Sequence, residues 1–505
     1  MTSKWLTSQS FVVYALSLLS LMEIIDLTVV NVSLPQIMAA LDIDMDHASL
    51  VSTSYIIAAA IFNSLTGILA KRFGLKRLIL GSSILFGFFS IMCGVAENIH
   101  EMMTFRFFQG MGGAFLPACA QSYIAQEFKD DDYKKMMTIL SAVMVLGPVI
   151  GPVVAAYLIE FANWRFIFYV NVPFCILGYW VVWQFMQNSV GKKCNFDALS
   201  FGFLFFGVGL LEYVIDEGNA QNWFESPELV IMLSLSIYFL CLFVLRAKRG
   251  HSVINFQLFY HKNFMLNCMM VFAFSILALG PLSFYSNFMQ ETYHYSILGA
   301  GQLSLIRGIA ALGMVPVAGL LSKYYGSRET CILGMFLSFI SYCLFSHFSL
   351  KMNETYIILA SMVQGAGLMA FFVPALSLTM IDLPESLKED AAGIFNFFRN
   401  FACSIGVSIS ATTISHVSRL NQQILGNYVQ KTSKGFILLQ QQLHGFSGLL
   451  QLQMIKSELM LQSRYLSYLE LYGLFSIGFM TIFFIPVLLK KPTYENSLIQ
   501  SLERK

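Results

Sequence analysis

The sequence predicts an all-α integral membrane protein. Three observations carry that prediction: the scarcity of charge, the length of the apolar runs, and the placement of lysine and arginine between them. Of 505 residues, 56% are hydrophobic and only 12% charged. A soluble domain carries about 25% charged residues, so half the usual supply is left to cover a wetted surface. The net charge of +2 offers no basic field to a phosphate backbone, which excludes a nucleic-acid partner.

An apolar helix of about 20 residues spans the hydrocarbon core because it satisfies its own backbone donors and acceptors. Fourteen runs qualify in order, near 9–33, 50–70, 78–96, 102–124, 136–158, 166–186, 198–216, 228–246, 264–288, 299–321, 330–348, 355–380, 391–416 and 470–489. They are long and do not alternate, which excludes an outer-membrane barrel. Every even-numbered span ends in a basic loop. Lys71, Arg72, Lys76 and Arg77 follow span 2; Lys129, Lys134 and Lys135 follow span 4; Lys192 and Lys193 follow span 6. Arg246, Lys248, Arg249 and Lys262 follow span 8, Lys323 and Arg328 span 10, Lys388 span 12, and Lys490 and Lys491 span 14. The alternate loops carry acids, such as Asp42, Asp44 and Asp46. Positive charge stays on the cytoplasmic side, so both termini are expected there.

The nine cysteines stand singly, without a C-x-x-C pair, and no H-E-x-x-H pattern occurs, so no disulfide framework, metal site or cofactor is expected. No Walker motif is present, so ATP is not the energy source. The first apolar run is too long for a cleavable signal and lacks a small-residue cleavage site.

The chain repeats itself. GILAKRFG from Gly67 matches GLLSKYYG from Gly319, and QGMGGAFLP from Gln109 matches QGAGLMAFFVP from Gln364. Parallel repeats with the substrate site between them are a transporter design. The expected organisation is a six-helix bundle over 1–190, two inserted spans over 191–250, and a second six-helix bundle over 251–505 with a long outer loop at 417–469. The latter part of that loop repeats apolar residues every three or four positions. This is the pattern of an amphipathic helix that rests on the outer leaflet, caps the transport path or docks a partner.

Polar residues inside spans point to function, because a charge there costs about 2.5–3.5 kcal/mol on insertion scales and so faces the bundle interior. Asp26 lies in span 1, with Glu23 one turn deeper at i−3 and on the same face. Two carboxylates this close suit uptake and release of a proton. Arg106 enters span 4 at a similar depth and needs a partner; Asp26 and Glu23 are the nearest candidates by depth. Arg307 and Arg399 are the other intramembrane cations, and Glu212 lies near the outer end of span 7. Gly147-Pro148 and Gly151-Pro152 interrupt span 5, where proline removes a helix donor and small residues allow close helix approach.

These residues fall into motifs. Span 1 carries IDLTVVNVSLP from Ile25. Gly67, Leu69, Arg72, Gly74, Lys76 and Arg77 form a G-x-L-x-x-R-x-G-x-[RK]-[RK] pattern, Arg106, Gln109 and Gly110 an R-x-x-Q-G pattern, and Gly147, Pro148 and Gly151 a G-P-x-x-G pattern. NWRFIFYVNVP runs from Asn163 to Pro173, and Gly393, Asn396 and Arg399 form G-x-x-N-x-x-R. The set resembles the fourteen-span drug/proton antiporters of the major facilitator superfamily, the EmrB/QacA-like branch, over essentially the whole chain. Three departures stand out: Lys71 where the loop motif usually has an acid, Pro152 in place of the second glycine of the span 5 motif, and Ala402-Cys403 where the branch often has two glycines.

The resemblance implies a multidrug efflux transporter in the inner or plasma membrane. It would export amphipathic or cationic compounds in exchange for protons, with Arg106 in the coupling. Candidate coupling and substrate residues are thus Asp26, Glu23, Arg106, Gln109, Glu212 and Arg399. The motif residues Gly67, Arg72, Gly74, Arg77, Gly147, Pro148, Gly151 and Asn396 are candidates for conformational change. In double-membraned bacteria the resemblance further implies a membrane-fusion adaptor facing the outer loop. Export of an endogenous metabolite or siderophore is the alternative cargo. A membrane-embedded enzyme is the remaining class, opposed by the lack of a nucleophile or cofactor motif.

Overall fold

The computed structural model describes residues 8–42, 45–188, 191, 196–218, 221, 223–250, 252–380, 383–428 and 448–488. All the regular structure among them is helical. The first group of helices is α1 (Ser8–Leu41), α2 (Met45–Asn63), α3 (Thr66–Phe73), α4 (Leu75–Val95), α5 (Ile99–Glu127), α6 (Asp130–Phe161), α7 (Phe166–Tyr169) and α8 (Asn171–Phe185). Then come α9 (Ala198–Glu217) and α10 (Pro227–Lys248). The last group is α11 (Lys262–Leu282), α12 (Tyr285–Tyr293), α13 (Ile297–Tyr324), α14 (Ser327–Ser346), α15 (Glu354–Leu378), α16 (Glu385–Tyr428) and α17 (Gly448–Ile482).

Eleven described helices are long and apolar enough to cross a membrane, or twelve when the bent pair formed by α2 and α3 counts as one span. The other two expected spans correspond to α5 and α6, 29 and 32 residues long. Both are ample in length; α5 carries Arg106, Gln109, Gln121 and several glycines, which lower its hydropathy, whereas α6 has no charged residue over 136–158.

Local chemistry explains where the helices break. The 60° bend between α2 and α3 falls at Ser64-Leu65. There Ser64 Oγ donates to the Ile61 carbonyl at 2.6 Å and Thr66 Oγ1 to that of Asn63 at 2.9 Å. Hydroxyls that bond nearby carbonyls compete with the helical ladder and bend it. The α11–α12 span is interrupted at Ser283-Phe284, just past Pro281, which lacks the N–H the ladder needs. α5 instead runs through Pro117 without interruption.

Packing divides the helices into two sets. In the first, α1 lies against α5, α6 and α8, and α4 against α5 and α8. In the second, α11 lies against α16, α13 against α15, and α14 against α15 and α17. The sets meet where α6 packs on α13 and α15, and where α16 packs on α2, α3 and α5. The central pair α9–α10 has its own small apolar core, in which Leu204, Val208 and Phe243 meet Ile61 of α2. Arg246 closes the base of that pair with a fork to Asp197, at 2.7 and 2.9 Å. The fork holds the Asp197 carboxyl below its ordinary range.

Two expectations about length are corrected. α1 continues to Leu41, well past the span expected to end near 33. The stretch expected as an outer loop at 417–469 is, in its described parts, a continuation of helices: α16 is 44 residues long and α17 is 35. Residues 429–447 lie outside the described residues. The α17 extension is docked rather than lying apart, because Arg464 and Tyr468 both reach Glu291 of α12, at 2.8 and 3.1 Å. An amphipathic pattern specifies a face to bury, and here that face is used against neighbouring helices of the same chain.

Candidate functional site

The polar centre of the first set is built around Asp26. The carboxylate is buried among the helices of that set, and three protein donors converge on it. Arg106 Nη1 of α5 donates to Oδ2. Gln109 Nε2, one turn along α5, donates to Oδ1 at 3.0 Å, and Asn171 Nδ2 of α8 donates to the same oxygen at 2.8 Å. Gln109 also accepts from Arg106 at 2.8 Å and donates to Ser90 of α4 at 2.8 Å. The Arg106 guanidinium donates through Nε to the Val51 carbonyl at 3.2 Å, and lies 4.3 Å over the Tyr55 ring. Asp26 and Arg106 are 2% and 0% exposed. Such a pair is strongly coupled, because removing one partner leaves a buried charge whose loss of compensation costs about 3–5 kcal/mol.

Arg106 therefore takes Asp26, not Glu23, as its partner. Glu23 is fully buried, and neither of its carboxylate oxygens has a hydrogen-bond partner among the described residues. It lies beside Tyr55 and Gly113, where an added Cβ would press on both. The cation whose field reaches it is Arg399 of α16, on the other side of the junction between the two helix sets. Arg399 itself is held by Asn400 Oδ1, at 3.2 and 3.0 Å, and contacts Met144 Sδ at 3.6 Å. Glu23 and Arg399 thus face each other across that junction without a direct ion pair.

Glu212 belongs to a different contact. Its Oε2 accepts from Ser404 of α16 at 2.5 Å, and its Oε1 is buried without a partner. One turn on, Asp216 accepts from Thr53 of α2. The inserted helix α9 thus carries two acids that reach α16 and α2, one from each helix set, and neither joins the Asp26 centre.

The motif residues sit at the places where helices approach most closely. An added Cβ at Gly147 would meet Ile24, and one at Gly151 would meet Thr28, so α6 presses on α1 on either side of Asp26. The side chain of Pro148 lies outside the described residues. Gly74 has φ 85°, which suits glycine, and makes the turn from α3 into α4. Gly67 lets α3 approach Asp390 of α16. Beside it Lys71 Nζ meets Asp390 Oδ2 at 2.5 Å. Lys71, the departure from the acidic pattern, is therefore matched by an acid from the second set. Arg72 and Arg77 are exposed. Asn396 donates to Ala392 of its own helix at 2.9 Å.

Asn171, Tyr55, Ser90 and Asp390 are the residues that sequence reasoning missed. Asn171 lies inside the quoted NWRFIFYVNVP stretch, whose polar asparagine in an apolar run was a usable signal. Tyr55, Ser90 and Asp390 carried none, because each matters only through a partner distant in the chain.

Comparison with known proteins agrees with this architecture. The chain is 28% identical over 405 residues to "Multidrug export protein EmrB" of Haemophilus influenzae, covering 78% of each protein. It is 28% identical over 450 residues to the protein of the same name from Escherichia coli, covering 87% of this chain and 86% of that one. Among solved structures, the proton:xylose symporter XylE superposes with a TM-score of 0.61 at 13% identity over 96% of both chains, which is a likeness of fold. The family model described as Major Facilitator Superfamily matches residues 16–407. With a multi-span helical membrane fold and a match over most of its length, the chain belongs to the Major Facilitator Superfamily.

Proposed function

We propose that the chain is a proton-coupled exporter of amphipathic or cationic compounds that works by alternating access between its two helix sets. In this reading the two sets are the bundles expected at 1–190 and 251–505, with α9–α10 as the inserted pair. The observation that carries the reading is the fully buried Asp26 held by Arg106, Gln109 and Asn171. An ionisable group inside a membrane protein marks a functional site by default, and carboxylates there serve as proton relays in pumps and transporters. A proton on Asp26 cancels its charge and weakens its hold on Arg106, and so loosens α1 from α5. Because α1 packs through α6 against α13, that change is passed to the second set. Glu23, with two free oxygens facing the field of Arg399, is the second proton acceptor in this scheme. Glu212 is a third candidate, on the inserted pair. The multidrug names of the relatives support the cargo class.

The distribution of Lys and Arg supports an inner or plasma membrane location with cytoplasmic termini. The paired extensions of α16 and α17, on the opposite side of the membrane, are where an adaptor would dock in a double-membraned cell.

The test is transport by purified protein in proteoliposomes. Addition of tetraphenylphosphonium is expected to collapse an imposed pH gradient, and Asp26→Asn is expected to abolish that response while the protein still inserts and folds. Full retention of gradient-driven transport by Asp26→Asn would remove the proposal.

A further inference from the structure

Arg307 takes no part in the scheme above, yet it is a charge at mid-membrane depth. Ten residues into α13, it lies about 15 Å from that helix's end, half of a hydrocarbon core roughly 30 Å thick. Its side chain is buried, at 2% exposure. Nη1 donates to Gln364 Oε1 and Nη2 to Ser304 Oγ, both at 3.1 Å, and the guanidinium lies 4.4 Å over the Tyr285 ring. All these partners are neutral. The ionisable groups whose field reaches Arg307 are Tyr285, Tyr342 and Tyr472, with no carboxylate among the described residues. Two donors point into this centre unused: Arg307 Nε and Tyr472 Oη are buried without hydrogen-bond partners.

A second positive element lies beside it. Tyr285, on which the guanidinium stacks, is the first residue of α12, just past the interruption at Ser283-Phe284. Helix N-termini carry partial positive charge, and interrupted spans in transporters direct such ends at anionic groups of the solute. A buried guanidinium without a counter-charge is costly unless an anion completes it, and its planar fork suits a carboxylate.

We propose that Arg307 is an anion-binding point inside the second helix set. It receives the carboxylate or similar anionic head of an amphipathic solute, beside the aromatic rings of Tyr285, Phe345 and Tyr472. The proposal names a cargo class for the exporter reading and rests on it for its transport role, though not for binding.

The experiment compares binding of octanoate and octyltrimethylammonium, which share one tail, to the full chain in zwitterionic nanodiscs by calorimetry. Wild type is expected to bind octanoate. Arg307→Gln should weaken octanoate by at least roughly tenfold, the loss of a charged hydrogen-bond pair, and leave octyltrimethylammonium unchanged. Arg307→Lys should weaken octanoate by a smaller factor, because lysine keeps the charge but loses the fork. Unchanged octanoate binding in Arg307→Gln, or an equal loss of both probes, overturns the proposal. If Arg307→Gln does not fold, Arg307→Lys decides by the same criterion: selective loss of octanoate supports the site, and equal behaviour of the two probes overturns it. The exporter reading fails on a different measurement, the absence of substrate-dependent collapse of a pH gradient, and that result would leave octanoate binding at Arg307 standing.

Discussion

The two halves of this protein each bury an arginine on a tyrosine ring, but they surround it differently. In the first half Arg106 stands on α5 and stacks on Tyr55 of α2, with Asp26, Gln109 and Asn171 closing the centre. In the second, the arginine and the tyrosine have changed helices. The offset that superposes Gly67 on Gly319 also superposes Tyr55 on Arg307, and the one that superposes Gln109 on Gln364 puts Ser361 at the place of Arg106. Gln364 keeps the role of Gln109 by accepting from the arginine. Ser361 instead pairs with Tyr285 at 2.7 Å. The aspartate has no counterpart. A duplicated scaffold thus preserves the glutamine and the cation–aromatic stack, while among the described residues only the arginine of the first half is paired with a carboxylate.

That contrast can be broken by experiment. The largest effect is expected at the charge pair. Arg106→Met leaves Asp26 buried without its cation and should destabilise the protein by about 3–5 kcal/mol. Arg307→Met strands no opposite charge and should cost only about 1–3 kcal/mol in lost hydrogen bonds. Thermal unfolding of the two variants in the same detergent measures the difference, and an equal or reversed order would show that the halves are energetically alike.

A smaller difference is expected at the two glutamines. Gln109 links Asp26, Arg106 and Ser90, so Gln109→Ala should cost roughly 2 kcal/mol and impair proton-coupled transport. Gln364→Ala, which removes one bond to Arg307, should cost about 1 kcal/mol. If Gln364→Ala proved the more damaging to proton-coupled transport, the coupling centre would lie in the wrong half.

The smallest effect is expected where the halves touch. Lys71 and Asp390 are partly exposed, at 27% and 11% of their side chains, and a pair of this kind contributes on the order of 1 kcal/mol or less. Lys71→Asp alone sets two acids against each other and should slow transport. The exchanged double variant Lys71→Asp with Asp390→Lys should recover most of it. No recovery in the double variant would mean that Lys71 acts through something other than this pair.

Much of this was legible in the sequence, for reasons that are local. The starts of α4, α5, α9, α10, α13 and α15 fall within a few residues of the expected spans, because transfer of an apolar helix to lipid depends on the segment itself. Asp26, Glu23, Arg106 and Gln109 drew attention for the same reason, as polar groups in apolar surroundings. The three-to-four-residue apolar period in the latter part of 417–469 reads as helical, and α17 is helical there; not legible were the run of α16 on to Tyr428 and the docking of α17 on α12, through contacts such as that of Arg464 with Glu291.

Sequence alone determined which segments lie in the bilayer and which charges were buried there, because both follow from hydrophobicity and helical period along a short stretch. The pairing of those charges was decided only by the tertiary structure. Asp26 and Arg106 are 80 positions apart, and Lys71 and Asp390 are 319 apart. Of the three intramembrane arginines, packing brought a carboxylate to Arg106 alone among the described residues, left Arg399 facing Glu23 at a distance, and closed tyrosines around Arg307. A buried ion pair depends on the placement of atoms within a few ångströms across different helices, and no local pattern encodes that placement.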